Sequence, residues 1–210
     1  MANEITKTLE ATKVVPLVQA DAPDVALKIS EALIEGGLSV LEVVLRTDEA
    51  LKCLEAVAKE FPDAHVGAGT VLSADQSREV IARGASFIVS PGLDEASVDV
   101  ALTSKVPIFP GVATPSELQR AWNLGLRTVK FFPAGLAGGP KMLKAFASVF
   151  REMRFMPTGG VSAANLAEFL AIPSVLACGG SWLTPKAAIT DGDFAAITTL
   201  AREATAIAQQ

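Results

Sequence analysis

Two charged residues stand inside runs that are otherwise apolar. In Leu41-Glu42-Val43-Val44-Leu45-Arg46-Thr47, Glu42 and Arg46 are four positions apart. On an extended chain they share one face, about 13 Å apart along the strand, with Glu42 the deeper. In Thr128-Val129-Lys130-Phe131-Phe132-Pro133, Lys130 shares its face with Thr128 and Phe132. An amine among apolar neighbours loses hydration, which favours its neutral form, and a neutral amine is a nucleophile toward a ketone. A lysine and a glutamate facing one interior therefore suit imine chemistry, the carboxylate moving the protons. The same two residues also fit a plain buried ion pair, and a strand lysine often carries its head out to solvent. Lys141, Lys144 and Lys186 compete as nucleophiles but fall in helix-like or loop segments.

Two glycine pairs follow late strand-like runs: Thr158-Gly159-Gly160-Val161-Ser162 and Cys178-Gly179-Gly180-Ser181-Trp182. Glycines there let backbone N–H groups approach an anion, and a helix starting nearby adds its positive end, so a phosphate is the expected ligand; a tight turn without ligand is the plain alternative. Gly135-Leu136-Ala137-Gly138-Gly139-Pro140, after the lysine run, reads as a loop, with a flap over the site as the alternative. His65 is the only histidine and opens its run, which reads as structural. One histidine excludes a multi-histidine metal site and any catalytic triad that does not use His65 itself. Cys53 and Cys178 are far apart, with no CxxC spacing, so neither a disulfide framework nor a zinc site is expected. With no tyrosine there is no phenolic proton shuttle.

The chain has 210 residues, 50% of them apolar and 20% charged, enough to bury a core in one domain spanning 1–210. Eighteen Lys and Arg against 23 Asp and Glu leave a net charge of −5 and no basic run, which argues against nucleic acid as a partner. No apolar run reaches membrane-spanning length and the first residues, Met1 to Lys7, are polar, so no membrane partner and a cytoplasmic location are expected.

Those candidate residues are set in a repeated unit: a short β-branched run, a turn, an amphipathic helical stretch, and a glycine leading to the next run. Eight runs, at 14–19, 40–46, 65–70, 87–91, 107–111, 128–133, 154–160 and 175–180, start about 20 to 26 residues apart, the length of a parallel βα unit. Gly37, Gly84 and Gly125 each precede a run by three residues, where a helix end favours a left-handed residue. Thr114-Pro115-Ser116-Glu117 and Ser73-Ala74-Asp75-Gln76 read as capping boxes, and Val25, Ile29, Ala32 and Leu33 as a core-facing stripe. Eight units without a linker fit an α/β fold of the (β/α)8 TIM-barrel type. An open doubly wound sheet would ask for a dinucleotide turn, which Gly67-Ala68-Gly69-Thr70 lacks. Ile5 and Leu9, four apart, mark an N-terminal helix that would close the bottom of the barrel.

The motifs Leu41 to Thr47, Val66-Gly67-Ala68-Gly69-Thr70-Val71-Leu72, Ser90-Pro91-Gly92, Val129-Lys130-Phe131-Phe132-Pro133-Ala134, Pro157-Thr158-Gly159-Gly160-Val161 and Gly179-Gly180-Ser181-Trp182-Leu183 closely resemble the 2-keto-3-deoxy-6-phosphogluconate (KDPG) aldolase family, also active as 4-hydroxy-2-oxoglutarate (KHG) aldolase. The resemblance runs in order through nearly the whole chain after about residue 13. It implies Lys130 as the Schiff-base lysine, Glu42 as general acid and base, and Arg46 on the substrate carboxylate. Thr70, Pro91, Phe132 and Thr158 would line the pyruvate end, and Gly159, Gly160, Gly180 and Ser181 would hold the phosphate. It further implies a homotrimer of (β/α)8 barrels acting on a small phosphorylated 2-keto acid in the Entner–Doudoroff route, with no metal and no cofactor. From the residues alone, a 6-phosphogalactonate aldolase and a non-catalytic phosphosugar-binding barrel stay open. An isomerase on the same barrel would ask for a carboxylate with a histidine or a metal set.

Overall fold

Parallel neighbours are what alternating short strands and helices must produce, because each crossover helix returns the chain to the same end of the sheet. The computed structural model describes residues 4–209; the first three residues of the polar N-terminal segment and the last residue of the chain lie outside them. Helix α1 (Glu4–Thr12) precedes β1 (Val14–Val18), α2 (Pro23–Glu35), β2 (Val40–Val44), α3 (Ala50–Glu60), β3 (His65–Gly69), α4 (Ala74–Ala82), β4 (Ile88–Val89), α5 (Glu95–Thr103) and β5 (Ile108–Phe109). Then follow β6 (Gly111–Val112), α6 (Pro115–Asn123), β7 (Thr128–Phe131), α7 (Gly139–Val149), β8 (Arg154–Pro157), α8 (Leu166–Leu170), β9 (Cys178–Gly180), α9 (Lys186–Asp191) and α10 (Phe194–Ala208).

The strands run in the order β5-β4-β3-β2-β1-β9 and β6-β7-β8, every pair parallel. Two bridges, Phe155 to Val175 and Thr158 to Gly179, join β8 to the stretch that ends in β9. Strands β5 and β6 are two halves of one stave, broken at Pro110, which has no N–H for the ladder although its carbonyl accepts from Lys130 N–H at 3.0 Å. The result is a closed (β/α)8 barrel whose staves are shorter than the apolar runs that announce them.

Inward positions follow the strand alternation. The lower interior is filled by Val15, Val40, Phe87, Phe109 and Met156, and α1 closes it from below with Ile5 and Leu9, both buried. His65 opens β3 at that end, its Nε2 3.1 Å from Thr8 Oγ1. Outward positions pack on the helices, among them Ile29, Ala32 and Leu33 of α2. Gly37, Gly84 and Gly125 have φ of 93°, 92° and 82°, as a helix end followed by a strand requires.

The two capping sites differ. Thr114 and Glu117 form a full reciprocal box. Ser73 caps α4 through Gln76 N–H, but the Gln76 side chain accepts from Leu72 N–H at 2.7 Å instead of returning to Ser73. The segment after β7 is a turn tied to the β8 loop, with Ala134 N–H and Gly135 N–H donating to Thr158 O and Gly159 O at 2.9 and 2.8 Å, and α7 already begins at Gly139. No helix among the described residues is long and apolar enough to cross a membrane.

Candidate active site

Strands β2 and β7 face each other across the barrel, and alternation turns Glu42 and Lys130 inward. Their side chains are 1% and 3% exposed, and Lys130 Nζ lies 3.8 Å from Glu42 Oε1. That separation is beyond hydrogen-bond contact, and Oε1 is buried with no hydrogen-bond partner. Lys130 Nζ also sits 5.0 Å from the centroid of the Phe132 ring. An amine and a free carboxylate oxygen thus meet in an interior otherwise closed to water, the arrangement in which an amine adds to a carbonyl and a neighbouring acid shuttles the proton.

Missing side chains let neighbouring groups of the site come close. A Cβ on Gly69 would overlap the Glu42 carboxylate, one on Gly67 would enter the Phe87 ring, one on Gly111 would meet the Pro91 carbonyl, and one on Gly179 would meet Thr158 Oγ1. From sequence Gly67, Gly69 and Gly111 carry no assigned role, and Gly179 only that of a member of an anion-binding pair. The signal that could have found them is their parity: Gly67 and Gly69 are two apart on the inward side of β3, where a barrel interior asks for bulk.

Arg46 is exposed and lies two residues past the end of β2, at the barrel mouth, where it lines the same cleft as Val44 and Leu17 on the inward parity of β2 and β1. Its Nε donates to Thr70 Oγ1 at 3.1 Å. Thr70, directly after β3, has φ of 60°, a left-handed conformation that costs a β-branched residue on the order of 1–3 kcal/mol. The strained turn aims the Thr70 hydroxyl at the guanidinium. Pro91 is half-buried after β4, behind the buried Ser90, whose hydroxyl donates to Gly92 O at 2.7 Å. Phe132 is half-buried and begins a cis peptide to Pro133. Thr158 is buried at the top of β8, opposite Gly179.

Gly159 and Gly160 have φ of 86° and 84°, and Gly160 packs on the Gly135 backbone, which would lie 3.1 Å from a Cβ there. The second pair departs from expectation, because Gly179 and Gly180 are part of β9 and only Ser181 follows it. The helix starts also stand further off than expected. Helix α8 begins at Leu166, and Asn165 before it accepts from Ser162 N–H at 2.8 Å and donates to Gly160 O at 2.9 Å. Helix α9 begins at Lys186. A cleft of about 490 Å³ runs outward from Arg46 and Ser181 past Gln19 and Asp21 to Lys186, above the Lys130–Glu42 layer and not including it.

Lys141 and Lys144 are on α7 and Lys186 opens α9, all away from the interior. Burial pushes the Cys178 thiol well above its ordinary value, which leaves it a packing residue. Among the described residues no group of three or more His, Cys, Asp or Glu is placed to hold a metal ion.

Comparison with known proteins agrees over nearly the full length. The family described as KDPG and KHG aldolase matches residues 5–200. The KHG/KDPG aldolase of Escherichia coli K12 is 48% identical over 191 residues, 91% of this chain and 90% of that protein. The KDPG aldolase of Legionella pneumophila, whose structure holds pyruvate as a covalent carbinolamine, superposes with a TM-score of 0.92 at 41% identity, covering 95% of this chain and 97% of that one. The KDPG aldolase of Zymomonas mobilis ZM4, solved with 3-phosphoglycerate, gives 0.90 at 42% identity, covering 97% and 96%.

Proposed function

This chain belongs to the KDPG and KHG aldolase family, and from that premise we propose that Lys130 is its Schiff-base lysine and Glu42 its proton shuttle. The protein is a carbon–carbon lyase that cleaves 2-dehydro-3-deoxy-6-phosphogluconate to pyruvate and glyceraldehyde 3-phosphate, and 4-hydroxy-2-oxoglutarate to pyruvate and glyoxylate. The observation that carries the residue assignment is the 3.8 Å approach of Lys130 Nζ to an otherwise unpaired Glu42 Oε1 inside the barrel.

The neutral amine of Lys130 adds to the C2 ketone, and the carbinolamine loses water as Glu42 delivers and collects the protons. In the resulting iminium, removal of the C4 hydroxyl proton by the Glu42 carboxylate sends the electrons of the C3–C4 bond toward nitrogen. Carbon 4 departs as the aldehyde, leaving an enamine on Lys130. Protonation at C3 restores an iminium, water adds to it, and pyruvate leaves with the amine regenerated.

The Arg46 guanidinium, held by Thr70, grips the substrate carboxylate, with Pro91, Phe132 and Thr158 closing on the pyruvate methylene. Gly159, Gly160, Gly180 and Ser181 take the phosphate at the barrel mouth. The family resemblance also supports a homotrimer in the cytoplasm.

The test is borohydride reduction in the presence of pyruvate, read by mass spectrometry with Lys130→Ala alongside. An adduct mapped to Lys130 and absent from the variant is the expected result. An adduct on another lysine, or none, overturns the assignment.

A further inference from the structure

The barrel end opposite the catalytic mouth carries a cleft of about 410 Å³ lined by three cations, Lys144, Arg151 and Arg154, by Ser174, and by Met153 and Ile172 as apolar wall. No acidic residue lines it. Among the described residues neither Lys144 nor Arg151 forms an ion pair, in a chain whose net charge is −5.

Two donors in this cleft are buried without a hydrogen-bond partner: Arg154 Nε and Ser174 Oγ. They are neighbours by construction, because Phe155 N–H donates to Ser174 O at 2.8 Å and fixes residues 154 and 174 side by side at the lower end of the barrel. Arg154 is also held in place. Its Nη1 donates to Glu10 Oε1 on α1 at 3.1 Å, which leaves Nε without a partner. Leaving such donors unpaired is costly, and an acceptor in the cleft would remove that cost.

We propose that this cleft is a second anion site, binding a phosphate group, free or carried on a small metabolite, with oxygens accepting from Arg154 Nε and Ser174 Oγ. Lys144 and Arg151 supply the remaining charge for a dianion. The site is separate from the catalytic mouth, since Arg154 opens β8 and Thr158 lies beyond its other end. Because Arg154 ties the cleft to Glu10, an occupant also stabilises the seat of α1 on the barrel floor.

Amide chemical-shift titration distinguishes the two ends of the barrel in one experiment, using the intact protein with inorganic phosphate and, separately, glycerol 3-phosphate, each against sodium chloride at matched ionic strength. The expected result is a saturable shift at Arg154 and Ser174, weakened by about tenfold or more in Lys144→Ala/Arg151→Ala. Ser174→Ala is the second variant, exposed to no folding risk from lost charge, and should weaken binding by a smaller factor. Saturation by both ligands means that phosphate alone suffices; saturation by the ester alone means that a phosphorylated metabolite is the ligand. Shifts confined to Gly160 and Ser181, or shifts at Ser174 that sodium chloride reproduces, overturn the proposal.

Discussion

One barrel interior holds two layers built on opposite principles. The lower layer is filled: Leu9, Val15, Phe87, Phe109 and Met156 pack with almost no exposure, and α1 seals it. The upper layer is built on glycines: Gly67, Gly69, Gly111 and Gly179 stand at inward positions, the Glu42 carboxylate takes the space a Cβ on Gly69 would need, and Lys130 Nζ lies 3.8 Å from that carboxylate. Both layers are buried, but only the upper one sets charged groups beside glycines. Side-chain volume, more than polarity, separates floor from reaction chamber.

Four of the predictions that follow press on that contrast. The largest effect belongs to Glu42→Gln, which removes the proton shuttle while keeping shape: kcat should fall by about 10²- to 10⁴-fold while borohydride still traps some pyruvate on Lys130. Near-normal turnover would place the shuttle elsewhere. In the filled layer, Leu9→Ala should cost about 2–5 kcal/mol in urea unfolding with kcat at low temperature unchanged; a matching loss of kcat would show the layers to be coupled.

The sharpest comparison is between two glycines of the same strand. A methyl on Gly69 must displace the Glu42 carboxylate, so Gly69→Ala should lower kcat by about 10²-fold. A methyl on Gly67 meets the Phe87 ring instead, so Gly67→Ala should lower stability by about 1–3 kcal/mol and spare more of the turnover. Equal kinetic damage from both would collapse the distinction. At the mouth, Ser181→Ala should raise KM about tenfold for the phosphorylated substrate and leave that for 4-hydroxy-2-oxoglutarate unchanged.

The smallest effect lies outside both layers, in the α6 box. Burial pushes the Glu117 carboxyl up, but donors from Ala113 N–H, the Thr114 hydroxyl and Thr114 N–H outweigh it and hold the group below its ordinary value. Such a group stabilises the fold above the unfolded-state value and loses that contribution as pH falls through the lowered folded-state value. Glu117→Ala should cost about 0.5–1.5 kcal/mol at neutral pH, and the gap in urea midpoints should close in acid.

Much of this was legible from the chain. Periodic runs, their spacing and the glycines before them announced parallel βα units, because these are local demands of strand, helix end and turn. Strand parity placed Glu42 and Lys130 on inward faces before any coordinates, since alternation along a strand is a property of the backbone. For Arg46 parity gave a face but not a partner, because β2 ends at Val44 and the guanidinium bonds to Thr70 at the end of the neighbouring strand. The eighth run, 175–180, already contained Gly179 and Gly180, but only the pairing shows that the strand proper is confined to Cys178–Gly180.

By itself, then, the sequence determined which residues form strands and helices, which side chains share a face, and, through its family motifs, what chemistry to look for. Only the closed barrel decided that residues 88 positions apart meet at 3.8 Å, that a glycine in β3 makes room for a carboxylate from β2, and that three cations and a serine converge at the far end. Those are distances across a closed sheet, and periodicity along a chain encodes direction but not distance.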